Sequence, residues 1–179
     1  MKLIYSLLLA GFLGFSGPAM AVEKVNGEPV QEVEWEQLMP ADFSLDAILD
    51  QSAELGSLDD FDPKAQQVLD QMMAEMQSAP IVPEMDGKMV KLPGYVVPLK
   101  AEGLWVTEFF LVPYFGACIH VPPPPSNQII YVRFEPGTKI ENLYDAIWVT
   151  GTLKTETVMD ELATSGYSME AFQIEPYDL

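Results

Sequence analysis

The chain holds one cysteine and one histidine, and they stand one residue apart in the run Gly116-Ala117-Cys118-Ile119-His120. Side chains at i and i+2 of an extended backbone project to the same face, so thiol and imidazole can reach one ligand or one another. A thiolate and an imidazole are what Zn(II) or Cu(I) prefers. Cys118 and His120 are therefore candidate metal ligands, with zinc or copper as the cofactor. A closed zinc site needs four ligands, and there is no second Cys/His cluster. A carboxylate with water, or a second copy of the loop, would have to complete the shell.

Two other roles compete for the same pair. An imidazole beside a thiol can leave a reactive thiolate, which would make a thiol-dependent enzyme with Asn127 orienting the histidine. Neighbouring side chains on one strand lie parallel, however, and there is no C-x-x-C dithiol. The alternative is structural: Cys118 as a small buried hydrophobe and His120 bonded to backbone, within a pure interaction module. The supporting residues suit any of these. Gly116 precedes the pair, and Pro122, Pro123, Pro124 and Pro125 follow as a stiff segment without backbone donors. Asn127 and Gln128 then supply amides to cap loop carbonyls.

The elements that must position this loop are legible around it. Residues 1–21 read as a cleavable signal peptide, with Lys2, an apolar run from Leu3 to Phe15 and the small-x-small site Ala19-Met20-Ala21. That run is too short to span a bilayer comfortably, so no integral span is expected after cleavage. The expected location is the periplasm, where an unpaired cysteine is inert, metal-bound, reactive or joined to another molecule.

Residues 22–83 read as an acidic helical arm packing on the domain. Trp35, Leu38 and Met39 before Pro40 form a hook, and Ser44 to Leu49 a further turn or two of helix. Asp62-Pro63 starts a clear helix with Asp at the N-cap and Pro at N1. Its stripe of Ala65, Val68, Leu69, Met72, Met73 and Met76 is expected to pack on a sheet. The methionines would suit Cu(I), but no histidine or cysteine stands among them.

Residues 84–179 read as a β domain. Five segments are rich in Val, Ile, Tyr, Phe and Trp and bounded by Gly, Pro, Asn or Asp. They run roughly over 88–99, 104–113, 128–134, 146–155 and 166–175. Asp86-Gly87 marks the turn before the first and Pro136-Gly137 the turn after the third. Gly94 and Gly151 inside strands mark bulges or tight bends. The fold class is α+β, mainly β: a small five-stranded OB-like barrel with an N-terminal helical arm.

Composition limits the partners. There are 27 acidic against 9 basic side chains, a net charge of −18. Such a chain repels phosphate backbones and anionic lipid, which excludes nucleic acid even for a barrel of OB type.

With these pieces in place, the chain resembles a bacterial family of exported, periplasmic domains of unknown function with the signature GACIHVPPPPxNQ. The matching stretches are Asp86-Gly87-Lys88, Leu92 to Leu99, Phe110 to Tyr114, Gly116 to Gln128, Ile147 to Leu153, Ser165-Gly166-Tyr167 and the Trp35-x-x-Leu38-x-Pro40 hook. The resemblance implies an exported accessory domain accompanying ABC-type envelope transport components, and it implies no reaction.

Overall fold

A computed structural model describes residues 24–25, 27–46, 48, 50, 62–117 and 123–177. Five strands form the barrel: β1 (Met89–Glu102), β2 (Trp105–Val112), β3 (Ile130–Lys139), β4 (Ile147–Lys154) and β5 (Tyr167–Pro176). Their order is β1-β2-β3-β5-β4, and β4 pairs back onto β1, so the sheet closes. Four of the pairings are antiparallel, and β3 with β5 is parallel. Closure removes the free edges that a small open sheet would expose. The expected five-stranded, mainly β, OB-like barrel is the fold.

Alternation along the strands divides inside from outside. Val90, Leu92, Val96, Phe109, Leu111, Ile130, Val132, Val149, Leu153 and Met169 fill the interior. Val97, Phe110 and Val112 point the other way and pack with Ala117 and Ile129 in a second cluster on the outer wall. Ala117 and Ile129 flank the cysteine loop in sequence. The outer wall of β1 and β2 therefore carries both ends of that loop.

One expected turn is absent. Pro136-Gly137 does not end the third strand, because β3 runs on to Lys139 through the pairs Val106↔Thr138 and Trp105↔Lys139. The sheet absorbs the mismatch through a register shift between Val106 and Glu108, and Gly137 takes a positive φ of 71°. A bulge has replaced a turn.

The segments before the barrel close one side of it. Trp35–Leu38 is a short 3-10 helix, as the hook required. Trp35 and Leu38 are buried in the main core, and Trp35 Nε1 donates to the carbonyl of Pro93 at 2.8 Å. Residues 45, 46, 48 and 50 are helical. The long helix Pro63–Gln77 starts where expected: Asp62 caps it by accepting from the Lys64 N–H at 2.8 Å. Its apolar stripe departs from expectation. Only Met72 is buried; Ala65, Val68, Met73 and Met76 are half-buried, and Leu69 is exposed. The helix lies at the margin of the domain and leaves much of its apolar face uncovered.

Candidate functional site

Cys118, His120 and Pro122, together with residues 1–21 of the expected signal peptide, lie outside the described residues. What is defined is how the chain enters and leaves the loop. Beyond Val112 the chain turns outward through Tyr114 and Phe115. Phe115 stacks on Tyr144 with centroids 4.3 Å apart and meets Tyr95 edge-on at 6.2 Å. Gly116 follows with φ at +83°, a conformation that favours glycine at this position. Ala117 is then fully buried in the outer-wall cluster. Tyr114, Phe115 and Trp105 are exposed, rim rather than core aromatics.

The exit is fastened more firmly. Pro124 and Pro125 are buried, and the 3-10 turn Ser126–Gln128 after them is buried throughout. Asn127 Nδ2 donates to the Pro80 carbonyl at 2.8 Å, and Gln128 Nε2 to the Trp35 carbonyl at 2.9 Å. Ser126 Oγ donates to Ala79 O at 3.4 Å, while its own carbonyl accepts from the Gly166 N–H at 2.6 Å. The amides therefore cap carbonyls of the hook and of the helix–barrel connection, and Gln128 Nε2 also donates to the Asn127 carbonyl within the turn at 3.1 Å. Capping thus reaches beyond the loop's own carbonyls. A turn this deeply buried faces whatever packs over it, and here that is the chain preceding the barrel. Asn127 Oδ1 is buried and has no partner among the described residues.

Among the described residues, no three His, Cys, Asp or Glu side chains are grouped to hold a metal ion. Among the same residues, no helix is long and apolar enough to cross a membrane.

A second concavity lies on the outer wall, about 490 Å³ in volume, crossed by a ladder of polar side chains. Lys100 Nζ reaches Glu108 Oε1 at 3.3 Å, and Tyr131 Oη donates to Glu108 Oε2 at 2.6 Å. Arg133 sits over the Tyr131 ring at 5.7 Å and pairs with Glu170 at 2.9 Å. The residue types alone did not single this group out. Its signal was present in the sequence: charged residues at 108, 133 and 170 on the outward positions of strands.

Tyr131 holds the Glu108 carboxyl below its ordinary range, helped by Lys100 and opposed by partial burial. Burial, and then the same hydrogen bond, push Tyr131 up. A carboxyl lowered on folding stabilises the fold above its unfolded pKa, and that contribution fades as pH falls through the folded value. Glu108→Gln should therefore lower the urea midpoint at pH 7 and lie closer to wild type at about pH 3. The loss should stay within about 1 kcal/mol because the pair is partly solvated. An equal loss at both pH values would remove Glu108 from this role.

The class of protein is now defined: a mainly β, OB-like five-stranded barrel with one long helix before it. A family model described as "Protein of unknown function (DUF3299)" matches residues 35–176, and the chain belongs to that family. The crystal structure of a DUF3299 family protein from Pseudomonas aeruginosa PAO1 is similar at 43% identity. It covers 85% of this chain and 99% of its own, with a TM-score of 0.65. The OBody AM3L09 bound to hen egg-white lysozyme is similar at 17% identity, over 53% of this chain and 86% of its own, with a TM-score of 0.34. No curated protein matches.

Proposed function

We propose that this chain is an exported, non-catalytic accessory protein of the bacterial envelope that handles a transition metal, zinc or copper, through Cys118 and His120. In this reading residues 1–21 are the removed leader, 22–83 an arm, and 84–179 the domain that presents the loop in the periplasm. Its place of work is an ABC-type transport system, as the resemblance of the motif implies.

The observation that supports the reading is the fastening of the loop. Ala117 on one side is buried, and Ser126–Gln128 on the other is buried and hydrogen-bonded, so the described residues that flank positions 118–122 are anchored. Anchored flanks lower the conformational entropy that a segment between them loses when its side chains take a ligand. A soft thiolate beside an imidazole suits Zn(II) or Cu(I) better than hard cations.

The test is titration of the reduced protein with Zn(II) and with Cu(I). Cys118→Ser and His120→Ala should each weaken binding by about 10-fold or more. Stoichiometric binding that survives both substitutions together would take these residues out of the role.

A further inference from the structure

The long helix and the hairpin formed by Val158–Met159 and Thr164–Ser165 face each other across a groove of about 410 Å³. Met73 and Met76 of the helix, Pro123 and Pro124, and Met159 and Leu162 of the hairpin segment line it. The hairpin side is open to water, with Met159 82% exposed and Leu162 46%, while Met73 and Met76 opposite are half-buried. Asp160 and Glu161 also line the groove, and no lysine or arginine does among the described residues. Methionine is unbranched and polarisable, and it adapts its shape to the apolar side chains laid against it.

We propose that this groove docks a basic amphipathic segment of a partner protein, apolar on one face and rich in Lys or Arg beside it. Charge selects this occupant. Two carboxylates border the groove without a basic neighbour among its described lining residues, and the chain carries a net charge of −18. A second copy of the chain, an acidic peptide or an anionic lipid surface would each be repelled. A small polar ligand would find thioethers and proline rings where it needs convergent donors. An amphipathic segment places its apolar residues against the methionines and its cations beside Asp160 and Glu161, the helix-in-groove mode of recognition. The field of the whole protein would speed the encounter.

The inference extends the accessory role proposed above but rests on other residues. Cys118→Ser with His120→Ala should leave this binding unchanged, so failure of the metal site and failure of the groove are separable. The probe is a synthetic Leu/Lys peptide of about 18 residues with helical amphipathic spacing, titrated into protein carrying ¹³C-methyl methionine. Controls are the same composition scrambled and a Leu/Glu version. The Met73, Met76 and Met159 methyl signals should move, while those of Met85, Met89 and Met169, which are buried in the barrel region, should not. Met159→Asp with Leu162→Asp, both at exposed positions, should weaken binding at least 10-fold. Absence of binding, equal binding of the scrambled peptide, or indifference to the two aspartates would each overturn the proposal.

Discussion

Replacing Gly151 by valine is expected to cost about 3 kcal/mol or more of stability and to leave little folded protein at 37 °C. Gly151 lies in β4 and is paired on both sides, with Val90 of β1 and Ala171 of β5. It therefore sits at the seam where the sheet closes. A Cβ at this position would stand 2.6 Å from the Glu170 carbonyl oxygen and 2.9 Å from Ala171 Cα. Both are backbone atoms of a paired strand, so relief requires moving β5 and not merely a side chain. The register of β5 already shifts between Ala171 and Gln173, opposite this residue, so the local twist is committed. Gly94 provides the comparison. There an added Cβ first meets the Leu111 side chain at 2.8 Å, which can partly rotate, with a carbonyl oxygen at 2.9 Å behind it. Urea unfolding of Gly151→Ala, Gly151→Val and Gly94→Ala should rank Gly151→Val as worst and Gly94→Ala as mildest. A loss below about 1 kcal/mol for Gly151→Val would mean that the seam opens readily, and the barrel would not be closed as described.

The same residue shows what the amino-acid sequence could and could not reveal. Glycines inside strands at 94 and 151 were read as bulges or tight bends; a register shift does lie opposite Gly151, but what both positions share is the close approach of a neighbouring strand. The five strands were legible for a similarly local reason: β-branched and aromatic residues between turn formers need no knowledge of partners. Pairing is different, because β3 beside β5 in parallel joins residues far apart in the chain, and no local pattern encodes it. Pro136-Gly137 misled because a proline–glycine pair looks the same in a turn and in a bulge. Which one forms was decided by β2, which pairs with the residues beyond it. The methionine stripe on the long helix has true helical periodicity, but periodicity states only that one face is apolar. It does not state that anything covers that face. Asn127 and Gln128 were legible as amides that cap carbonyls, but that two of those carbonyls belong to Pro80 and Trp35, far away in the chain, was not.

Tyr167→Phe should cost about 2–4 kcal/mol, most of it from two groups left without partners. Tyr167 is fully buried, and its hydroxyl accepts from the Val82 N–H at 2.7 Å while donating to the Leu38 carbonyl at 2.9 Å. Burial pushes its pKa up, so the phenol stays protonated and able to donate across the whole physiological range. A single oxygen thus ties three parts of the chain together: β5, the hook at Leu38 and the connection before the barrel at Val82. Phenylalanine keeps the ring and its packing but leaves one N–H and one C=O unpaired in the interior. The loss should not be uniform. Amide exchange should rise around residues 33–39 and 79–85 while β1–β5 keep their protection, because the hook has other anchors and the barrel ladder is untouched. The effect should then travel to the cysteine loop. Gln128 Nε2 donates to the carbonyl of Trp35, in the hook itself, and Asn127 Nδ2 to Pro80, in the same connection as Val82. A loosened hook would release the buried turn that fixes the loop's exit. On the proposed metal-handling role, metal affinity at Cys118 and His120 should fall with it although neither residue is changed. Wild-type affinity in a Tyr167→Phe protein whose hook exchanges freely would break the link between the fastened exit and the chemistry of the loop.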